Sequence, residues 1–260
     1  MKKSAPLILL IFALVLGCKE EAKVTKEVEK TSDSDKKYTL SAFSPSQSYP
    51  DAKISNMTYE NGKFSFDVDG EEYQLGQQTP DADSKMCANS GKGQHIHLIV
   101  DNGPYAAKYE SSFEHDIPDG THTILAFLSR SYHESIKTAE ANILKIVDVK
   151  DGNIIDSRDI SSPILSYSRP KGTYVGKDTE KVMLDFYLSN VELKEGYTVE
   201  AKINDQVLDI NTWQPYYIEG MPMGENTITL TLMKDGVAAD VPMNPVSRTF
   251  TLKADPTPEK

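Results

Sequence analysis

Two histidines separated by a single residue could do chemistry in this chain. His95 and His97 lie in the alternating segment 94–101, so both imidazoles share one face of a β-strand, about 7 Å apart, and point toward solvent or a neighbouring loop. Cys87 or Met86 from the preceding polar segment could complete a metal site, and a thiolate with two imidazoles suits copper or zinc. The alternative is an exposed histidine pair that stabilises this segment by hydrogen bonds alone.

Ser129, Arg130 and His133 form a second candidate site. A guanidinium beside a hydroxyl can hold an anion, because its donors match the geometry of a phosphate or carboxylate. The segment resembles the Ser-Arg-x-His segment of forkhead-associated domains, which implies phosphopeptide binding through these three residues. Here one extra residue separates the arginine from the histidine, and an ion pair between Arg130 and Glu134 is the alternative.

Aromatic side chains give a third candidate. Tyr105 and Trp213 fall in the same loop region of the two halves of the chain, and exposed rings there could stack on sugars or on peptide side chains. A protein, peptide or glycan would then be the ligand. The alternative for Trp213 is that it caps an apolar core.

No arrangement typical of an active site accompanies these candidates. Ser131 and Ser135 flank His133, but neighbours on one strand do not give the geometry of a catalytic triad. A strand–serine–helix elbow and a glycine-rich phosphate loop are both missing from the sequence. The sequence therefore predicts a binding or assembly protein rather than an enzyme, with no cofactor other than the copper or zinc ion considered above.

The elements that must position these residues are short and alternate at period two. Segments 64–68, 183–188 and 227–232 place apolar residues at every second position, and Asn, Asp, Gly and Pro interrupt such runs. We therefore predict an all-β fold.

The chain also repeats itself. Segments 113–124 and 217–228 share Pro, Gly, Thr and Ile at equivalent places, which indicates a tandem duplication. Each copy is predicted to be a small antiparallel sandwich of about seven strands, over residues 41–152 and 158–253.

The first copy carries the features that the second lacks. All five histidines and Cys87 lie in it, as does a polar insertion over residues 77–94. His122 aligns with Asn226 and is predicted to be a structural hydrogen-bonding residue at the start of a strand. The ligand is therefore expected to contact mainly the first sandwich.

The N-terminus has the pattern of an export signal. Residues 1–17 combine two lysines with an apolar run, and Val15-Leu16-Gly17-Cys18 resembles a bacterial lipobox. The resemblance implies that Cys18 is lipidated after cleavage and anchors the protein in a membrane. Residues 19–21 resemble the signal that sends Bacteroidetes lipoproteins to the outer surface, which implies an outer-membrane, surface-exposed lipoprotein of the cell envelope.

Composition restricts the remaining possibilities. Residues 18–40 are expected to be a disordered tether and residues 254–260 a disordered tail, since they have too few apolar residues to offset ordering. With Cys18 lipidated, Cys87 is the one remaining thiol, so no intramolecular disulfide is expected. The net charge of −11 repels nucleic acid and excludes it as a partner.

Two resemblances follow from these motifs. The Pro-x-Gly-x-His-Thr turn over residues 118–123 resembles the immunoglobulin-like sandwiches of bacterial envelope proteins. The whole body, including residues 127–136 and 167–172, resembles a family of Bacteroidetes lipoproteins whose members often carry the name phosphopeptide-binding protein. The resemblance implies two tandem immunoglobulin-like β-sandwiches on a lipid anchor, with a binding function.

Overall fold

A computed structural model describes residues 38–256, where the regular structure consists of strands and two short 3-10 turns. The strands up to the middle of the chain are β1 (Thr39–Ala42), β2 (Lys53–Glu60), β3 (Lys63–Asp69), β4 (His95–Val100), β5 (Ala106–Lys108), β6 (Ser112–Glu114), β7 (Gly120–Ser129), β8 (Asn142–Lys150) and β9 (Asn153–Asp159). The later strands are β10 (Ile164–Arg169), β11 (Gly172–Val175), β12 (Val182–Ser189), β13 (Tyr197–Ile203), β14 (Gln206–Ile210), β15 (Tyr216–Glu219), β16 (Gly224–Lys234), β17 (Val237–Ala238) and β18 (Val246–Lys253). In this range no helix has the length and apolar character needed to cross a membrane.

Two antiparallel sheets form a first sandwich. One has the strand order β2-β3-β6 and the other the order β5-β4-β7-β8-β9. Alternation along each strand sends one set of side chains inward, so Phe64 and Phe66 of β3 meet Ile96 and Leu98 of β4 in one buried core.

A second sandwich repeats this arrangement. Its sheets have the orders β1-β15-β12-β10 and β11-β18-β16-β13-β14, with β17 paired to β16. Leu184 and Phe186 of β12 pack in a buried core with Leu230 of β16 and Phe250 of β18. The β11–β18 pair is parallel, and the remaining pairs of this sandwich are antiparallel.

The strand orders confirm the predicted all-β fold of two tandem antiparallel sandwiches. The order β2-β3-β6 corresponds to β10-β12-β15, and β5-β4-β7-β8 corresponds to β14-β13-β16-β18. Side chains repeat as well. His122 Nε2 lies 2.9 Å from the Pro118 carbonyl oxygen, and Asn226 Nδ2 donates to the Pro222 carbonyl oxygen at the same distance. The predicted structural role of His122 is thus confirmed.

The start of the folded region differs from the prediction. Residues 38–40 were expected to belong to the tether, but Tyr38 is buried and β1 pairs with β15. The reason is that Tyr38 and Leu40 pack into the core of the second sandwich, where their apolar burial offsets the ordering of the backbone. The signal peptide, the residues of the tether before Tyr38, and residues 257–260 lie outside the described range.

The boundary between the sandwiches also differs. The first sandwich was expected to end at residue 152, whereas Asp151 and Gly152, both with positive φ, form a tight turn between β8 and β9. An Asp-Gly pair suits a two-residue hairpin turn. The first sandwich therefore continues to Asp159, and the second resumes at Ile164.

The two sandwiches pack face to face. The outer side of β7 meets the outer side of β12, with the rings of Phe127 and Tyr187 stacked at 5.0 Å between centroids. Asn102 fixes this contact, since its side chain donates to the Leu165 carbonyl oxygen at 2.9 Å and accepts from the Tyr167 amide at 3.0 Å. This packing turns one face of the first sandwich into an interior.

Candidate functional site

Three imidazoles meet in that interior. His95 Nε2 lies 2.9 Å from His97 Nε2 and 3.1 Å from His133 Nδ1. The three ligand atoms all lie within 4.8 Å of one another. Among residues 38–256 this is the cluster of His, Cys, Asp and Glu side chains with the spacing to hold a metal ion.

The β4 strand positions two of these rings by simple alternation. Ile96 and Leu98 point into the first core, so His95 and His97 share the opposite face, as predicted. Their environment differs from the prediction, because both side chains are completely buried rather than directed to solvent. Ser168 of β10 covers the face, which a sequence of alternating residues cannot reveal.

His133 comes from the loop that follows β7. Its φ of 70° lies in the left-handed region, which is uncommon for a residue other than glycine and concentrates at functional sites. The loop is held at both ends, since the His133 amide donates to the Arg130 carbonyl oxygen at 2.9 Å and Ser129 pairs with Ser135. A rigid turn therefore aims this ring at the strand pair.

Hydrogen bonds set the tautomer of His95. Its Nδ1 lies 2.8 Å from the Gly93 carbonyl oxygen, which can only accept, so Nδ1 carries the proton and Nε2 keeps a lone pair. Gly93 cannot be replaced, because its φ is +84° and a Cβ there would lie 2.5 Å from the carbonyl oxygens of Gly76 and Gln77. The base of the insertion thus orients the first imidazole.

The second imidazole is held by a hydroxyl and a ring. His97 Nδ1 lies 3.3 Å from Ser168 Oγ, and the Tyr105 ring stacks on the imidazole at 3.7 Å with an interplanar angle of 6°. Ser168 Oγ can accept a hydrogen bond from Nδ1–H, which leaves the lone pair of His97 Nε2 available toward the other two rings.

All three imidazoles are neutral at pH 7. Burial lowers the pKa of His95 to about 4, and burial also holds the pKa values of His97 and His133 well below the ordinary value. The positive charges of Arg169 and Lys171 lower all three pKa values further. Neutral imidazole is the form that ligates a metal.

The spacing fits a small transition-metal ion. Zinc–nitrogen bonds of about 2.0 to 2.1 Å in a tetrahedron separate the ligand nitrogens by about 3.3 Å. The observed separations of 2.9 and 3.1 Å, and the limit of 4.8 Å for the whole set, lie around that value. A tetrahedral ion with three such ligands would keep one coordination position for another group.

The structure does not bring the predicted Cys87 and Met86 to this cluster. Cys87 packs against the aromatic group that contains Phe43 and Tyr132, and burial raises the pKa of its thiol to about 12. The Met86 side chain is 55% exposed. His133 completes the cluster in place of the sulfur ligand that the sequence predicted.

The predicted phosphate site at Ser129 and Arg130 does not fit the structure. Both residues are buried, and Ser129 Oγ donates to carbonyl oxygens of its own loop. The Arg130 guanidinium donates to the Gln47 carbonyl oxygen at 2.6 and 2.9 Å and pairs with Glu134 at 3.5 Å. These donors hold the loop in place, so they are not available to a phosphopeptide.

The aromatic candidates separate from each other. Tyr105 is 5% exposed and lies against the imidazoles, so it is not the exposed stacking platform that was predicted. Trp213 lines a groove between the sandwiches together with Lys137, Tyr187 and Asn190. Its indole donates to the Phe186 carbonyl oxygen at 3.0 Å, which fixes the ring at the groove wall.

Sequence reasoning assigned no chemistry to Ser168, Arg169 and Lys171. These residues belong to the second sandwich, whereas every other chemical candidate near the cluster lies in the first. The signal that could have found them is the pair of cations Arg169 and Lys171, which lie one residue apart at the end of a strand in an acidic chain.

No known family and no curated protein matches this chain. Among solved structures, the chain is similar to the fibronectin(III)-like modules of Clostridium thermocellum CbhA, with 13% identity, coverage of 83% of this chain and 95% of that chain, and a TM-score of 0.28. It is also similar to the extracellular domain of a putative hybrid two-component system from B. thetaiotaomicron, with 11% identity, coverage of 78% and 38%, and a TM-score of 0.27. At these TM-scores neither similarity bears on function.

Proposed function

We propose that this chain is a lipid-anchored cell-envelope protein that binds one copper or zinc ion through His95, His97 and His133. The observation that supports it is a set of three imidazoles, two completely buried and that of His133 partly exposed, whose ligand atoms lie within 4.8 Å of one another. Gly93 and Ser168 orient two of the rings through the nitrogen that does not face the cluster. Such outer partners are typical of histidines that ligate metals.

Binding rather than catalysis fits the surroundings of the cluster. The two serines beside His133 are already engaged, since Ser131 Oγ accepts from the Thr79 amide at 3.2 Å and Ser135 Oγ accepts from Lys137 at 2.6 Å. Neither hydroxyl forms a nucleophile–base pair with an imidazole in the described range. The protein is therefore proposed to hold the ion without performing hydrolysis through these side chains.

Metal titration of the purified chain tests the proposal. We expect one equivalent of zinc or copper to bind, measured by calorimetry and elemental analysis, and to raise the melting temperature. The substitutions His95→Gln, His97→Gln and His133→Asn should each lower the affinity more than about 100-fold, beyond the roughly 10- to 100-fold cost of losing an outer partner. Asparagine is chosen at position 133 because it tolerates positive φ.

Two matched controls sharpen this experiment. His122→Asn introduces the residue that the second copy has at the equivalent position, so metal affinity should stay at the level of the unchanged chain. Cys87→Ser should also leave it unchanged, because the thiol lies outside the cluster. The proposal fails if the unchanged chain takes up no metal, or if the triple histidine variant binds as tightly.

The membrane anchor is the second part of the proposal. Cys18 lies outside the described residues, and its lipidation rests on the lipobox-like sequence that precedes it. Mass spectrometry of the mature protein should find an acylated cysteine as its first residue, and Cys18→Ser should release the chain from membranes. An unmodified N-terminal cysteine would contradict the anchor and leave the metal site untouched.

The groove beside Trp213 favours a second function, the binding of a protein, peptide or glycan partner. The groove presents an indole, the Tyr187 ring and the Lys137 ammonium group in one concave surface. Trp213 is the chain's one tryptophan, so its fluorescence reports directly on this surface. Titration with envelope glycans and peptides should change the emission, and Trp213→Phe should remove the signal and weaken binding. An unchanged emission spectrum with bound partner would place that partner elsewhere.

A further inference from the structure

Arg169 directly follows Ser168, the residue that contacts His97, and its positive charge acts on all three imidazoles. Arg169 is 4% exposed, and its Nε and Nη2 donate to the Tyr174 hydroxyl at 3.2 and 2.7 Å. Its Nη1 is buried and has no hydrogen-bond partner among residues 38–256. In the same range no carboxylate oxygen lies within salt-bridge distance of this side chain. A buried charge in this condition is costly.

Lys171 is a second cation close to the cluster. Lys171 Nζ donates to the Tyr105 carbonyl oxygen at 2.7 Å and lies 4.0 Å from the centroid of the Tyr105 ring, which stacks on His97. Arg169 and Lys171 both act electrostatically on His95, His97 and their neighbour from the loop. Two positive charges therefore border a site that is proposed to take a positive ion.

The nearby acidic side chains cannot neutralise Arg169 and Lys171. Asp185 accepts from Lys137 at 2.7 Å and from a backbone amide at 3.0 Å, and Glu134 is paired with Arg130. Burial keeps the Cys87 thiol protonated by raising its pKa to about 12. A bound metal dication would add further positive charge, so an anion from outside the protein is required to balance the site.

We propose that the site takes an oxyanion, a carboxylate or phosphate group of a ligand, which binds the metal ion and accepts a hydrogen bond from Arg169 Nη1. This inference rests on the proposed metal-binding function, because the anion occupies the coordination position that three imidazoles leave available. A guanidinium is suited to this role, since its planar donors match the oxygens of carboxylate and phosphate. Lys171 adds attraction without the same directionality.

Cobalt(II) is the probe for this inference, because its visible absorption changes when the group in the remaining coordination position changes. The cobalt-loaded full chain is titrated with acetate and, separately, with inorganic phosphate. We expect a saturable spectral shift with at least one of the two anions, and the anion that gives it distinguishes a carboxylate from a phosphate ligand. Arg169→Gln should still take up one equivalent of cobalt but bind the anion at least about 10-fold more weakly.

Two further variants make the result decisive. Arg158→Gln is the control, since Arg158 is an exposed arginine paired with Asp148 and Asp156, and it should bind the anion as the unchanged chain does. Lys171→Gln should weaken anion binding and decides the matter if circular dichroism shows that Arg169→Gln does not fold. The inference is overturned if cobalt binds and neither anion shifts the spectrum, or if the folded variants bind the anion normally. Failure to take up cobalt, zinc or copper instead overturns the proposed function.

Discussion

Strands β4 and β13 hold the same place in the two sandwiches but have different outer faces. On β4 the outer positions carry His95 and His97, and the strand is buried on both sides up to its last residue. On β13 the equivalent positions carry Thr198 and Glu200, which remain partly exposed between inward-facing valine and alanine. The duplicated backbone is therefore the same, while the environment of one face is not.

The difference shows where the duplication acquired new chemistry. Packing of the second sandwich on the first converts the outer face of β4 into an interior, and polar groups in an interior must find partners. Gly93 and Ser168 partner one nitrogen each of His95 and His97, yet Arg169 Nη1 has no partner among residues 38–256. The cost is consistent with a site that is completed by a bound metal and anion. Each prediction below tests whether the covered face, and not the shared strand, gives the first copy its properties.

The largest effect is expected from Phe127→Ala. Phe127 is fully buried on the outer face of β7 and stacks on Tyr187 of the second sandwich, so its truncation should lower the free energy of unfolding by about 3 to 5 kcal/mol. Thr231 is the equivalent residue of β16, and Thr231→Ala should cost less than about 0.5 kcal/mol. Urea unfolding of the two variants gives the comparison. Equal losses would mean that the two outer faces contribute alike.

The second effect concerns the loop that carries His133. Asp185 is buried on β12, where it accepts from the Ser135 amide at 3.0 Å and pairs with Lys137 at 2.7 Å. Asp185→Ala should lower the free energy of unfolding by about 2 to 3 kcal/mol, because hydrogen bonds to a buried charge are lost. Metal affinity should fall as well, since the loop is then held less firmly.

The matched control for this variant is Asp159→Ala. Asp159 pairs with Lys145 at the same 2.7 Å distance, but its side chain is 86% exposed. Its removal should change stability by less than about 0.5 kcal/mol, because solvent screens an exposed ion pair. If Asp185→Ala proved as mild as its control in both stability and metal affinity, the contact between the loop and the second sandwich would not position His133.

The sequence predicts the strands and the repeat well, because both depend on local patterns. Alternation places Ile96 and Leu98 inward and His95 and His97 together on the other side. Shared turn residues in the two halves likewise predict equivalent strands. These features need no knowledge of what packs against a sheet.

The remaining features depend on contacts between distant segments. The burial of the β4 outer face requires the position of β10, and the pairing of β1 with β15 joins the start of the folded region to residues 216–219. His133 enters the cluster because its loop turns back through a residue with positive φ. Neither the packing of two faces nor the direction of a loop leaves a periodic pattern in the sequence. For this reason the sulfur ligands Cys87 and Met86 were predicted instead of His133.

The pH dependence of the free energy of unfolding is expected to show an effect of intermediate size. Burial lowers the pKa of His95 to about 4 in the folded chain, whereas an unfolded histidine titrates near 6.5. The stability of the neutral, folded form is therefore fully present above about pH 7 and is lost as the pH falls from about 6.5 toward 4. Between pH 7 and 5, His95 alone should account for a loss of about 2 kcal/mol.

Urea unfolding in the presence of a chelator measures this slope. His95→Gln should flatten the curve between pH 7 and 5 and leave it parallel to that of the unchanged chain above pH 7. If the variant kept the original slope, the loss of stability below pH 7 would come from groups other than the His95 imidazole.

The smallest effect is expected when two histidines are introduced on β13, whose outer face is partly exposed. Thr198→His combined with Glu200→His recreates the two imidazoles on β13, in a chain where His133→Asn has disabled the original cluster. Because this face is partly exposed, stability should change by less than about 0.5 kcal/mol. The new pair has neither a third imidazole nor an outer partner to fix its rings, so calorimetry should find no binding at metal concentrations that saturate the unchanged chain. Tight binding by this variant would show that two histidines on one strand are sufficient, and that the packing of the second sandwich over β4 serves stability rather than metal binding.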